Sequence, residues 1–311
     1  MITVELTGQA RRTARAMGSH TTVVVVGDVW RHDDWLDDAQ RYLTDLELRW
    51  SRFLPDSDIS RLNAAGGAPV AVDAVTVLLV EHLIGAHHAT GGAFDPTLLP
   101  SLVALGYGSS MDDPSLRTSL PAGVRSRCAM DGVRLDAARC VVQLDPGTTL
   151  DPGGLGKGLA ADLVVTRLLA AGATGALVSV GGDLRVGGSP PSGAGWLVAV
   201  ADPRSDGEVA RVHLASGAVA TSSTLRRAWD VGESRRHHLL DPTTGEPVTT
   251  GLVAATVVAG TAAWAEAWTK AVMVGGAVST FRRLDELGLG GLAVTSDGTV
   301  ITNDAWRTVA A

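Results

Sequence analysis

Cysteine is scarce in this chain of 311 residues, which contains only Cys128 and Cys140. Two isolated cysteines are too few for a disulfide framework or for a zinc site with cysteine ligands. An export signal is also missing, because residues 1–16 hold neither an apolar segment nor a lipid-acceptor cysteine. These absences predict a cytoplasmic protein in a reduced compartment.

An excess of positive charge is missing as well. The chain has 26 Lys and Arg residues against 33 Asp and Glu residues, which gives a net charge of −7. Proteins that bind nucleic acid usually present a basic surface to the phosphates, so we expect no nucleic-acid partner. No apolar run is long enough to cross a membrane, so we expect no membrane insertion. With 45% hydrophobic residues the chain can still bury a sizeable core.

Lysine is the rarest charged residue type, since only Lys157 and Lys270 occur and the other 24 basic residues are arginine. A lysine ammonium is a compact charge whose pKa shifts readily on burial, whereas an arginine guanidinium is planar and always charged. Each lysine lies in a motif described below, which points to a chemical role. The alternative is that both are surface lysines kept by chance.

Hydrophobic periodicity predicts one continuous α+β body with no internal repeat and no low-complexity linker. The predicted strands cover residues 21–27, 133–135, 141–144, 176–180, 197–201, 219–221 and 254–259, and the predicted helices cover residues 33–50, 72–89, 159–171 and 262–274. Residues 52–63 are predicted to form a loop with a short helix, and residues 106–132 a long loop. Residues 292–301 are predicted to form a hairpin that turns at Asp297-Gly298.

A glycine-dense segment at residues 151–158 reads Asp-Pro-Gly-Gly-Leu-Gly-Lys-Gly and leads into a predicted helix. Backbone N–H groups at a helix N-terminus favour an anion such as a phosphate. The segment is not a Walker A motif, which needs Gly at Asp151 and Ser or Thr at Gly158, and Leu159 breaks the G-x-G-x-x-G pattern. The alternative is a tight strand-to-helix connection without a ligand. The opposite charges of Asp151 and Lys157 favour the anion site.

Two pairs of adjacent histidines occur, at residues 87–88 and 237–238. Neighbouring side chains usually point in different directions, so neither pair predicts a shared metal site. His238 precedes Asp241 by three residues, and a histidine of near-neutral pKa is the usual general base for a hydroxyl nucleophile. The alternative is a surface histidine beside a turn, in which Asp241 merely caps Thr243 or Thr244.

Glu266 and Lys270 are one turn apart on the predicted helix 262–274. At this spacing a Glu and a Lys commonly form a solvent-facing pair that contributes a few tenths of a kcal/mol. The residues around them are mostly apolar, however, which predicts that Glu266 is buried. A buried carboxylate needs a partner.

Eight segments resemble, in the same order, the FAD:protein FMN transferases of the ApbE family. They are residues 17–18, 56–63, 92–97 (Gly-Ala-Phe-Asp-Pro-Thr), 151–158, 180–183 (Val-Gly-Gly-Asp), 220–222 (Ala-Thr-Ser), 238–247 and 265–276. The resemblance covers nearly the whole chain. It implies a single two-lobed α+β domain over residues 1–311, with mixed or antiparallel sheets, flanking helices and FAD in the cleft between the lobes.

The same resemblance implies a reaction and a site. FAD is cleaved at its pyrophosphate, AMP is released, and FMN is esterified to a Thr or Ser hydroxyl of an acceptor protein. His238 would be the base that takes the hydroxyl proton, with Asp241 as the second catalytic residue. Family positions that line the FAD site correspond to Met17, Phe53, Ala93, Phe94, Asp95, Asp151, Lys157 and Leu240.

The implied metal is Mg²⁺ beside the pyrophosphate, held by the Gly154 carbonyl and by an Asp and a Thr of the late helix. This chain has Glu266 in place of the Asp and Lys270 in place of the Thr. Two hypotheses follow: either Thr269 supplies the missing oxygen and the metal is shifted, or Lys270 replaces part of the electrostatic role of the cation.

Two other activities stay open on these residues. The chain could bind FAD without transferring it, as a flavin reductase-like protein does, or it could hydrolyse FAD to FMN and AMP. Many relatives are exported lipoproteins, whereas this chain shows no export signal, which predicts a cytosolic acceptor or self-contained flavin binding.

Overall fold

Fifteen strands and seven helices form the structure, a computed structural model that describes residues 7–124, 129–191, 195–232 and 234–311. The strands are β1 (Thr7–Ala16), β2 (Ser19–Asp28), β3 (Val70–Ala71), β4 (Val133–Asp136), β5 (Val141–Leu144), β6 (Gly175–Val180), β7 (Asp183–Gly188), β8 (Trp196–Ala201), β9 (Glu208–Leu214), β10 (Gly217–Ser223), β11 (Ala228–Val231), β12 (Ser234–His237), β13 (Leu252–Ala259), β14 (Gly290–Thr295) and β15 (Val300–Thr302). The helices are α1 (His32–Trp50), α2 (Asp58–Ala64), α3 (Ala74–Ala89), α4 (Leu99–Ala104), α5 (Gly156–Ala170), α6 (Ala262–Gly275) and α7 (Ala277–Glu286).

Eight of the strands form one large sheet in the order β1-β2-β6-β7-β10-β13-β14-β15. All neighbouring strands in it are antiparallel. The remaining strands form a three-stranded sheet, β3-β5-β4, and the hairpins β8-β9 and β11-β12. Each described pairing between strands is antiparallel, so the expectation of mixed or antiparallel sheets resolves to antiparallel.

The central strands of the large sheet are covered on both faces. On one face α1, α5, α6 and α7 contact it in that order from β1 towards β14. The β8-β9 hairpin covers the other face, where its Trp196 joins Trp306 in an apolar cluster. The side chains of β10 alternate between the two faces of the sheet. Ala218 and Ala220 face the helices, whereas Val219 faces the β8-β9 hairpin. The sheet therefore holds α5 beside β6 and β7, and α6 beside β10 and β13.

The predicted α+β organisation is confirmed, and each predicted strand and helix is present with shifts of a few residues at its ends. One boundary needs correction: the helix predicted to begin at residue 159 begins at Gly156. The Leu155 carbonyl accepts the first helical hydrogen bond from Leu159, so Lys157 is already part of the helix. Six strands and two helices were not predicted: β1, β3, β7, β9, β11, β12, α4 and α7. The sequence of β1 is polar, and this strand is stabilised by its full-length pairing with β2.

Other expectations concern the less regular parts of the chain. Cys140 is a free thiol, whereas Cys128 lies outside the described residues, as do residues 125–127 of the predicted long loop. None of the helices in the described ranges is long and apolar enough to span a membrane.

The N-terminal turn of α5 packs directly on the backbone of α6. A Cβ atom at Gly158 would lie 2.4 Å from the Ala262 carbonyl oxygen, which is far inside van der Waals contact. Glycine is therefore required at this crossing, although alanine is the better helix former.

We expect Gly158→Ala to lower the free energy of unfolding by about 1–3 kcal/mol, since the added methyl group must push α5 away from α6. Urea unfolding measures this change. Gly85→Ala is the matched control, because Gly85 is an exposed glycine inside α3 with no atom near its Cβ position. The control should gain up to about 1 kcal/mol. Equal stability of the two variants would contradict the proposed close contact.

Candidate functional site

A cavity of about 620 Å³ opens beside the N-terminus of α5. One group of lining residues is apolar and includes Phe53, Leu98 and Tyr107, which belong to a single hydrophobic cluster. A second group is ionisable and includes Lys157, Arg227, His238 and Lys270. The other ionisable lining residues are Arg52, Glu47, Asp95, Asp112 and Asp151. A cavity with both surfaces suits a ligand that combines flat rings with an anionic group.

The glycine-rich turn of residues 151–154 forms part of the cavity wall, and Asp151 shapes it. One carboxylate oxygen of Asp151 accepts a hydrogen bond from the Gly153 N–H at 2.8 Å, and the other lies 3.3 Å from Arg52 Nε. Arg52 is itself buried: it donates to the Tyr107 carbonyl at 3.0 Å, and its guanidinium lies 4.2 Å from the centre of the Phe53 ring. Asp151 therefore holds the turn in place and is not a free carboxylate.

Four charged side chains form what we call the buried charge cluster: Lys157, Asp183, Glu266 and Lys270. Glu266 is fully buried at its centre. Its Oε1 accepts hydrogen bonds from Lys157 and, at 3.2 Å, from Lys270, while its Oε2 accepts from the Gly158 N–H at 2.8 Å. Lys157 also lies 2.8 Å from Asp183 Oδ2. The cluster thus joins α5, α6 and the start of β7.

The pKa values in this cluster follow from burial and pairing. Burial alone would raise the pKa of Glu266, but Lys157 and Lys270 outweigh it and lower the pKa to about 2. Burial would lower the pKa of Lys157, but Asp183 and Glu266 raise it instead. Burial lowers the pKa of Lys270, although the negative charge of Glu266 acts in the opposite direction. Burial and the negative charge of Glu266 together raise the pKa of Asp183. Glu266 and Lys157 therefore carry full charges at neutral pH.

His238 follows β12 and lines the same cavity. Burial, together with the positive charges of Arg227, Lys270 and Lys157, lowers its pKa well below the usual value for histidine. Its Nδ1 atom is buried and has no hydrogen-bond partner among the described residues. A neutral imidazole with a free nitrogen can accept a proton at physiological pH.

Asp241 lies in a turn after His238, and its expected catalytic role stays a prediction. Its Oδ1 accepts hydrogen bonds from the N–H and the hydroxyl of Thr243, at 2.8 and 2.7 Å. Asp241 does not line the cavity, and no hydrogen bond joins it to His238 in the described part of the chain. The capping role that the sequence offered as the alternative is the observed one.

The residues expected to hold Mg²⁺ do not fit a divalent cation. The Thr269 hydroxyl points towards the sheet, where it donates to the Glu266 carbonyl at 2.7 Å and lies 2.6 Å from Ser222 Oγ of β10. Both carboxylate oxygens of Glu266 already accept hydrogen bonds. Two of these three bonds come from lysine ammonium groups. Of these residues only Gly154 lines the cavity. No group of three or more His, Cys, Asp or Glu residues suited to a metal is found within the described ranges.

The remaining predicted site residues come together. The predicted site residues that line this cavity are Met17, Phe53, Ala93, Phe94, Asp95, Asp151, Lys157, Leu240 and His238. Asp95 offers a further acceptor, because its Oδ1 is bonded to Thr97 while its Oδ2 is buried without a partner in the described structure. Contact of these residues with FAD stays a prediction.

Sequence reasoning missed Arg52, Tyr107 and Arg227, which also line the cavity. Arg227 is one of 24 arginines, and no local pattern marks it. The backbone φ of Arg227 is 48°. That of Met17, which also lines the cavity, is 54°. Such left-handed conformations are uncommon for residues other than glycine and occur often at functional sites.

Comparisons with known proteins show similarity over most of the chain. A family model described as the ApbE family matches residues 17–292. The FAD:protein FMN transferase of Salmonella typhimurium is 30% identical over 84% of this chain and 77% of its own length, and that of Klebsiella pneumoniae is 29% identical over 91% and 83%. The crystal structure of the ApbE protein from Thermotoga maritima superposes with a TM-score of 0.85 at 26% identity, covering 96% of this chain and 98% of that one.

Removing Lys157 should be costly for stability. We expect Lys157→Met to lower the free energy of unfolding by about 3–5 kcal/mol, because Asp183 and Glu266 then stay buried with one cation fewer. Chemical denaturation measures the loss. In the control, Arg283→Met, an exposed ion pair with Glu286 on α7 is removed, which should cost less than about 1 kcal/mol. A Lys157→Met protein as stable as this control would show that the cluster does not hold the helices together.

Proposed function

The chain belongs to the ApbE family, and we propose that it is an FAD:protein FMN transferase. In this reaction the pyrophosphate of FAD is cleaved, AMP is released, and FMN becomes attached through a phosphoester to a Thr or Ser hydroxyl of an acceptor protein. The relatives named above carry this activity in their names. The observation that carries the proposal for this chain is the neutral His238 beside three cations in one cavity.

The two surfaces of the cavity support FAD as the substrate. Aromatic and aliphatic side chains, among them Phe53 and Tyr107, offer flat apolar contacts for ring systems. The glycine-rich turn and the N-terminus of α5 present N–H groups and positive charge, which suit a diphosphate. FAD combines these two chemical characters in one molecule.

Proton transfer is assigned to His238. The imidazole of His238 accepts the proton of the acceptor hydroxyl, and the hydroxyl oxygen attacks the phosphorus on the FMN side of the pyrophosphate. The bond from that phosphorus to the bridging oxygen breaks, and AMP leaves with the bridging oxygen. Because the histidine starts neutral, it can accept the proton without first losing one.

Charge stabilisation comes from the cationic wall. Negative charge develops on the phosphoryl oxygens and on the leaving AMP, and fixed cations in a poorly solvated cavity stabilise it most. Lys157 is held by Asp183 and Glu266, so its position is set before substrate binds. The residues present do not fit a divalent cation, and we assign no step to one.

Incubation with FAD tests the proposal directly. Chromatography quantifies AMP and FMN, and flavin fluorescence in denaturing gels detects a labelled acceptor in a cell extract. AMP together with a fluorescent protein band supports transfer. AMP and free FMN without any band would identify an FAD pyrophosphatase, and bound FAD without AMP would identify a flavin-binding or reductase-like protein.

Replacing the proposed base should affect catalysis and spare binding. We expect His238→Ala to slow AMP release by about 10²–10⁴-fold, the usual contribution of a general base, while FAD affinity stays close to that of the unaltered protein. Stopped assays of AMP measure the rate. His237→Ala is the control, because His237 is the chain neighbour and does not line the cavity. Full activity of His238→Ala would remove this residue from the mechanism.

The pH dependence offers a second check. The proton-accepting form of His238 is the neutral one, and its pKa lies well below 6.5. We therefore expect kcat/KM for AMP release to stay constant as the pH falls from 8 through 6.5, and to decline only at lower pH. A decline centred at or above pH 6.5 would mean that another group, or an unshifted histidine, controls the rate.

A further inference from the structure

Three cationic side chains, Lys157, Arg227 and Lys270, line the same cavity as Gly154. Arg227 donates to Ser19 Oγ at 3.2 Å and makes no ion pair within the described ranges. An arginine without an acidic partner beside two lysines is suited to an anionic ligand.

Lys270 is placed to contact the same ligand. Its side chain is 14% exposed, lines the cavity, and passes close to the glycine-rich turn: its Cε would be 3.4 Å from a Cβ at Gly154. One hydrogen bond joins its ammonium to Glu266 at 3.2 Å. An ammonium has three donors, so the remaining donors of Lys270 are free of partners in the described structure and can reach a ligand in the cavity.

A divalent cation would compete with these side chains for the same carboxylate. Glu266 Oε1 is shared by two ammonium groups and Oε2 is bonded to the Gly158 N–H. Glu266 is fully buried and does not line the cavity, and a cation brought next to these two ammonium groups would be repelled by them. The Thr269 hydroxyl cannot help, because it is bonded on the sheet side of α6.

We infer that this chain binds the diphosphate of FAD without a divalent cation, and that the Lys270 ammonium and the Arg227 guanidinium supply the positive charge instead. The inference rests on the proposed function, since it concerns the same substrate in the same cavity. Together the two side chains carry the charge of one divalent ion. A guanidinium can bind two phosphate oxygens at once, whereas an ammonium acts as a point charge.

Binding of FAD provides the first test, and it does not depend on turnover. The purified protein is treated with EDTA, and FAD affinity is measured by quenching of flavin fluorescence, with and without added Mg²⁺. We expect the same affinity in both conditions. Affinity that falls by about tenfold or more in EDTA, equivalent to about 1.4 kcal/mol, would overturn the inference.

Variants identify the side chains. In EDTA, Lys270→Thr and Arg227→Gln should each weaken FAD binding by about tenfold or more, as expected for loss of a hydrogen bond between charged groups. Arg226→Gln is the matched control, because Arg226 is the exposed neighbour of Arg227 and does not line the cavity. If Arg227→Gln and Lys270→Thr bind FAD as tightly as this control does, the inference is wrong. Should Lys270→Thr fail to fold, the metal comparison on the unaltered protein still decides.

The two proposals fail in different ways. FAD binding that needs Mg²⁺, followed by AMP release, would refute metal-free binding and retain the transferase. Metal-independent FAD binding without AMP release in any condition would support the binding mode and refute the transferase. Absence of FAD binding in every condition would refute both.

Discussion

The fully buried carboxylate of Glu266 is the interaction on which the candidate site depends. It accepts hydrogen bonds from two lysines and from the backbone N–H of Gly158, so it joins α6 to the first turn of α5. Lys157 extends the connection to Asp183 at the start of β7. A buried carboxylate is costly unless each of its oxygens is paired. This requirement fixes how the two helices meet over the sheet, and it thereby fixes the wall of the cavity.

The electrostatics of the cavity follow from that arrangement. Ion pairs with Asp183 and Glu266 fix the Lys157 ammonium beside the glycine-rich turn. Lys270 is paired with the same Glu266 carboxylate. Burial of His238, together with the positive charges of these lysines and Arg227, lowers the pKa of its imidazole and favours the neutral form. One set of charges therefore serves the structure, the binding of an anion and the protonation state of the proposed base.

Close backbone packing makes this geometry attainable. Gly158 allows α5 to approach the Ala262 carbonyl, and only at that distance can the Gly158 N–H reach Glu266. Gly154 similarly leaves room for the Phe94 ring and the Lys270 side chain against the turn. The glycines of this segment thus shape the cavity through the absence of their side chains.

Local patterns in the sequence determined the strands and helices, the glycine-rich turn and the suspicion attached to Lys157, Lys270 and His238, because periodicity, turn chemistry and residue scarcity are visible along the chain. Only the tertiary structure decided which groups meet. Lys157 and Glu266 are 109 residues apart, and Arg227 has no distinguishing neighbours. Local spacing placed Asp241 with His238, whereas the folded turn directs its carboxylate to Thr243. Contacts between distant segments depend on sheet order and helix packing, which no local pattern of residues records.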